Sequence, residues 1–150
     1  MEKITWNIKA FNALSVNEYF ELLYLRVAVF VVEQNCPYQE VDEKDRKSFH
    51  LVGKTEKGAL VAVARILPQG IAYAEASIGR VALKKEYRGK GFADLLMLEA
   101  LKFIEQKLGK QPIRISAQKH LLNYYAKHGF QPTGKTYLED GIPHIEMLRA

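Results

Sequence analysis

Apolar and polar residues alternate weakly along ITWNIKAF, residues 4–11, which predicts an edge strand. The period then changes. Ser15 and Glu18 form an S-x-x-E capping box, and Tyr19, Phe20, Leu23, Val27, Phe30 and Val31 recur behind it at helical spacing. Pro37 stops this helix near Val32 to Asn35, because the residue before a proline is pushed out of the α region. The polar and charged residues 38–48 read as a loop. HLVGKTE (50–56) and ALVAVARIL (59–67) are two strands joined by a turn at Lys57-Gly58, and AEASIGRVAL (74–83) is a third. A helix follows from about Gly91 to Leu108, closed by Gly109. IRISAQ (113–118) is a strand and HLLNYYAKH (120–128) a short helix ending at Gly129. Extended segments around 130–137 and 143–149 finish the chain. The order β-α-β-β-β-α-β-α-β-β predicts one α/β (α+β) domain over residues 1–150, built around a central sheet.

Composition narrows the classes. Hydrophobic residues make up 48% and charged residues 26% of the 150, an ordinary globular balance. No apolar run reaches the roughly 18 residues of a membrane span, and MEKITWNIKA has no apolar signal region. A single cysteine, Cys36, excludes an internal disulfide framework and fits a cytoplasmic protein. The four histidines show no metal-ligand spacing, so no metal is expected. The formal net charge of +5 points to an anionic partner, either nucleic acid or a phosphate-bearing cofactor.

The stretch EYRGKGFADLLM (86–97) favours the cofactor. Gly89 and Gly91 free the backbone for close approach just where a helix begins. The first N–H groups of that helix have no helical partners and carry the positive end of its dipole, which suits a phosphate. Lys84, Lys85, Arg88 and Lys90 add four positive charges within seven residues. Two familiar phosphate motifs fail. Gly89-x-Gly91 lacks the third small residue of a dinucleotide fingerprint, and Gly53 and Gly58 are followed by Ala59 and Leu60 where a P-loop needs Lys and Ser or Thr.

VALKKEYRGKGFA resembles the acetyl-CoA-binding motif of the GNAT N-acyltransferase superfamily, [RQ]-x-x-G-x-[GA], which Arg88, Gly91 and Ala93 fill. ISAQKHLLNYYAKHGF resembles the second signature, filled by Tyr125, Gly129 and Phe130. LRVAVFVVEQNCPYQEVDEKD (25–45), SFHLV and YLEDGIPHIEM (137–147) look like the ElaA-like branch, so the resemblance touches almost the whole chain. It implies a GNAT fold, a mixed twisted sheet flanked by helices with acetyl-CoA in a cleft between splayed strands. It also implies transfer of an acetyl group from acetyl-CoA directly to a primary amine, whose identity the sequence does not give.

The resemblance assigns roles residue by residue. The backbone of Gly89, Lys90, Gly91, Phe92 and Ala93 would cradle the pyrophosphate, with Arg88 and the lysines adding attraction. Val81, Ala82 and Leu83 would hold the pantetheine arm, the Val81 N–H acting as an oxyanion-type donor, and Gln118 would also line the cofactor site. Tyr125 would protonate the departing thiolate. The base is open. The family often has a glutamate where Ser77 stands. Glu75, two residues earlier on the same strand face, Glu33, His144, Asp42 and His50 are the candidates for base or acceptor site.

Arg26 and Glu33, seven apart on the first helix, share a face and form either an acceptor-site element or an ion pair or loop anchor. Their segment also resembles the N-terminal part of acyl-homoserine-lactone synthases. Cys36 has no partner histidine placed by the sequence. Phe92, Leu95, Leu96, Ala100, Phe103 and Ile104 form a core stripe. Three readings rival the acetyltransferase: an acyl-CoA sensor that does not catalyse, an enzyme with another acyl donor, and a nucleic-acid binder. The last is disfavoured because the clearest basic cluster already has a phosphate to hold. Pairing of two copies through the last strands would give a homodimer.

Overall fold

The computed structural model describes residues 2–150, and its element order is the one expected. β1 (Thr5–Ala10) is followed by α1 (Val16–Val27), β2 (Phe49–Lys54), β3 (Leu60–Leu67) and β4 (Ser77–Leu83). α2 (Phe92–Phe103), β5 (Ile113–Gln118), α3 (Leu122–Lys127), β6 (Gln131–Glu139) and β7 (Ile142–Arg149) complete it. The Ser15 hydroxyl accepts from the Glu18 N–H at 3.0 Å and Glu18 accepts from the Ser15 N–H at 2.8 Å, so the capping box forms as its spacing predicts.

The strands form two antiparallel sheets, β1-β2-β3-β4 and β5-β7-β6. The central sheet is therefore split. β4 and β5 run parallel and touch through a single bridge, Ala76 with Ile113, where the Arg114 N–H donates to the Ala76 carbonyl at 3.0 Å. Beyond that bridge they diverge, and the β5-facing backbone of β4 has no strand beside it.

Both faces of the four-stranded sheet are covered, which is why ALVAVARIL reads as a continuous apolar run rather than an alternating one. On one face Leu51, Ala64, Ile66 and Ile78 pack against Phe92, Leu96, Met97 and Ala100 of α2. On the other, Val52, Val63 and Ala82 meet Leu22, Leu25 and Val29 of the first helix. Among the described residues no helix is long and apolar enough to cross a membrane.

Three local departures shape the site. First, α1 does not stop at Val27 but continues as a π-helical turn, Ala28–Glu33, with Gln34 N–H bonded to Val29 and Cys36 N–H to Val31. Second, the 38–48 loop contains a 3₁₀ helix, Glu43–Lys47, capped by the Asp42 side chain, which accepts from the Lys44 N–H at 3.0 Å. Third, β4 carries a bulge. Val63 faces Ala82 and Arg65 faces Gly79, so Ala64 alone spans both Arg80 and Val81. Arg80 takes a left-handed φ of 51° there, a conformation costing a non-glycine residue about 1–2 kcal/mol.

Candidate active site

The cleft opens where β4 and β5 part. It has a volume of about 860 Å³. One end is lined by Val81, Ala82, Leu83, Arg88, Gly89 and Ala93, with Gln118 and Tyr125 across from them. The helix start at this end is built as the glycines suggested, although for a conformational reason. Gly89 and Gly91 have φ of 73° and 88°, and a Cβ at either would meet nothing within 4 Å, so backbone geometry rather than packing requires glycine. Gly91 is the N-cap and no side chain caps the helix, which leaves the first N–H groups of α2 for a ligand. Asp94, in the first turn, is drawn aside by Lys127 at 3.0 Å and His128 at 2.8 Å. Phe92 is buried in the core and Lys90 lies over the Tyr87 ring.

Tyr125 is buried, 6% exposed, and lines the cleft. Among the described residues no group hydrogen-bonds its hydroxyl, and burial pushes its pKa up, so the phenol keeps its proton at neutral pH. Its neighbour Tyr124 stacks on it edge-to-face and donates to the Ala93 carbonyl at 2.7 Å. That bond ties α3 to the first turn of α2.

The candidate bases separate. Glu33 and His144 line the cleft, as does Asp42. Glu75 is not among the lining residues; Arg114 grips it through two 3.0 Å bonds, which hold its carboxyl below the usual range. His50 is buried beside the Asp45 carbonyl at 2.9 Å, and burial depresses its pKa, so it stays neutral. His144 Nδ1 lies 2.7 Å from the Ile142 carbonyl, which fixes the proton on Nδ1, and Nε2 lies 3.3 Å from Glu139. Ser77 stands in the cleft wall at the end of β4.

The Arg26–Glu33 pairing does not form. The π turn widens the helix and takes Glu33 off the Arg26 face. Arg26, 1% exposed, anchors the 38–48 loop instead, through Glu40 at 2.6 Å and Asp45 at 3.0 Å. Glu33 reaches across the cleft mouth to Arg88, with both oxygens bonded, at 2.6 and 2.8 Å. Arg88 is thus paired with a carboxylate beside the glycine turn. Gln34 exchanges 3.2 Å bonds with Gln118, and Cys36 Sγ contacts the Asp140 carbonyl at 3.4 Å. The segment 33–36 is consequently a strap joining the two halves of the cleft.

Sequence reasoning missed the network beneath that strap. Arg26, Arg65 and Arg80 interleave with Glu40, Asp42 and Asp45, and the Tyr19 and Tyr38 hydroxyls bond Asp45 and Glu40. Burial works to raise the Asp45 pKa, but Tyr19 and the two guanidiniums hold it below the usual range. The signal was present: an arginine inside each of three apolar elements needs a buried acid, and the loop between α1 and β2 supplies three. Among the described residues no group of three or more His, Cys, Asp or Glu side chains could hold a metal.

Residues 17–149 match the family model described as an acetyltransferase (GNAT) domain. A UPF0039 protein of Schizosaccharomyces pombe is 40% identical over 148 residues, 98% of this chain and 97% of that one. Escherichia coli ElaA is 41% identical over 148 residues, 97% of this chain and 96% of that one. Its crystal structure aligns with a TM-score of 0.91 over 99% of this chain and 100% of that one. An acyl-CoA N-acyltransferase from Pseudomonas aeruginosa aligns at 0.92 with 41% identity, covering 99% and 100%. The chain belongs to the GNAT acetyltransferase family.

Proposed function

We propose that this acyltransferase moves the acetyl group of acetyl-CoA directly to a primary amine. The observation that carries the reading is the conjunction at one end of the cleft. A strand with one open edge leads through left-handed glycines into an uncapped helix, opposite a buried tyrosine. Pyrophosphate oxygens fit the free N–H groups of α2, and the pantetheine arm pairs with β4 in place of a neighbouring strand. The Val81 N–H lies at the bulge, where it polarises the thioester carbonyl.

The amine nitrogen attacks the thioester carbon, the C–N bond forms and the C–S bond breaks. Tyr125 gives its proton to the departing thiolate. A thiol has a pKa of roughly 8.5 and a phenol roughly 10, and burial raises that of Tyr125, so the phenol still carries its proton when the thiolate departs. The amine's proton passes to a cleft-lining acceptor, the Asp42 carboxylate or His144 Nε2, the ring nitrogen that the Nδ1 bond leaves without a proton. The test is thiol release from acetyl-CoA across a panel of amines, with longer acyl-CoAs in competition. Tight coenzyme A binding with no turnover on any amine or donor would favour a sensor.

A further inference from the structure

Arg65 has an unused half. It is 5% exposed, lines the cleft and projects from β3 opposite Gly79. Both its hydrogen bonds leave from Nη1, to Asp42 at 2.7 Å and Asp45 at 2.9 Å. Among the described residues its buried Nε has no acceptor, and none meets Nη2. Arg26, Arg80 and Arg114 do the opposite. Each commits Nε and Nη2, the two-pronged edge of the guanidinium: Arg114 to both carboxylate oxygens of Glu75, Arg26 and Arg80 to one carboxylate oxygen and the main-chain carbonyl of Glu40. That edge matches the two oxygens of a carboxylate. A buried charged donor left unmade is costly, so its persistence in a cleft wall calls for a ligand.

Position says which ligand. Along β4, the phosphate turn lies beyond Leu83, whereas Gly79 lies on the other side of Val81. Arg65 therefore belongs to the acceptor end, not the cofactor end. Charge narrows the class further. Three arginines balance three carboxylates there, so a lone anion would add uncompensated charge while a zwitterion adds none. Asp42 has 32% of its side chain exposed, against 3% for Glu40 and 1% for Asp45. It faces the cleft beside Arg65 and is placed to meet an ammonium.

Resting on the acetyltransferase reading, we infer that the acceptor is a free α-amino acid, its carboxylate held on the Nε/Nη2 edge of Arg65 and its amino group beside Asp42. The experiment compares matched triplets, each an amino acid, its α-carboxamide and its decarboxylated amine, with side chains of several kinds. Binding to the full chain saturated with coenzyme A is measured by calorimetry, and transfer from acetyl-CoA by thiol release. At least one acid is expected to bind and react at least about 100-fold better than its amide and amine, since a site built for a polar group rejects analogues lacking it. Arg65→Lys keeps the charge but loses the fork, and should bring that ratio within about tenfold. A change in the ratio is something a merely structural role would not produce, and the wild-type comparison decides the matter if the variant fails to fold. Amides or amines handled as well as acids, or no acid bound, would overturn the inference. Transfer to carboxylate-free amines alone would leave the acetyltransferase reading standing without it. Acids bound with no transfer would leave the carboxylate site standing and overturn both the acceptor assignment and the acetyltransferase reading.

Discussion

Tyr125→Phe removes one oxygen and separates chemistry from structure. The ring packs against Tyr124 and Phe130, at 4.9 and 5.9 Å between centroids, and phenylalanine keeps both contacts. The hydroxyl has no hydrogen-bond partner among the described residues, and the ring is 6% exposed. Deleting it therefore breaks no protein hydrogen bond and relieves the desolvation of a polar group, about 0.5–3 kcal/mol across octanol and mutational scales. Unfolding in urea should show the variant as stable as the parent or more so. Catalysis should move the other way. A positioned general acid contributes about 10²–10⁴-fold, or roughly 2.7–5.4 kcal/mol at 1.36 kcal/mol per decade. The loss should fall on kcat with acetyl-CoA affinity unchanged. Burial raises the Tyr125 pKa, so the acid form persists above the usual phenol range, and its alkaline limb in the wild-type kcat profile should lie above pH ~10. A variant that keeps a third or more of wild-type kcat, with binding intact, would refute the assignment.

Other perturbations probe the surroundings. Glu33→Gln frees Arg88 from an exposed ion pair of the kind usually worth little, so coenzyme A should bind only about two- to fivefold tighter, with a steeper salt dependence in titrations. Gly91→Glu places a side chain and a negative charge at an αL N-cap, and coenzyme A affinity measured by calorimetry should fall at least about tenfold. Arg26→Met leaves Glu40 and Asp45 short of a buried partner and should cost about 3–5 kcal/mol in denaturant unfolding. The Ser15 N–H and Lys9 hold the Glu18 carboxyl at about 2, below its unfolded value. A lowered folded pKa gives stability that is present above the unfolded value, near 4.3, and lost as pH falls toward 2. Glu18→Gln should flatten that part of the stability–pH curve.

Element order was readable because each element carries its own period and stop signal. Ser15 and Glu18 start a helix, Gly91 and Gly109 bracket another, and the apolar runs of β3 and β4 declare buried strands. What stayed hidden depends on partners distant in sequence. The π turn after Val27 has no residue that marks it; AVFVVE reads as ordinary helix until Arg26 must face Glu40 while Glu33 faces Arg88. The bulge was invisible for the same reason. In IGRVAL the alternation continues through Arg80, and only the pairing of Arg65 with Gly79 and Val63 with Ala82 shows the extra residue. The turn into α2, by contrast, was legible because its signal is local: glycine, glycine, helix start.

The hidden parts explain one another. Arg80 occupies a left-handed φ costing about 1–2 kcal/mol, yet its guanidinium donates from Nε to Glu40 at 2.9 Å and from Nη2 to the Glu40 carbonyl at 3.2 Å, over the face of Tyr38. Hydrogen bonds to charged groups are each worth about 1.5–3 kcal/mol, enough to hold the strained residue in place. Arg26 binds the same Glu40, and Arg65 reaches Asp45, which Arg26 also holds. The loop carrying Glu40, Asp42 and Asp45 thereby fastens the first helix to the bulge, and the bulge sets where Val81 presents its backbone. A network of this kind contributes little net stability compared with an apolar core of the same volume. Its effect is geometric. Cutting Arg80 from Glu40 should release the strain, straighten β4 and shift the Val81 N–H away from the place proposed for the thioester carbonyl. Arg80→Ala loses a partner of Glu40 but relieves the strain and leaves Arg26 on that carboxylate, so its loss in kcat, expressed as a free energy, should exceed its loss in unfolding free energy.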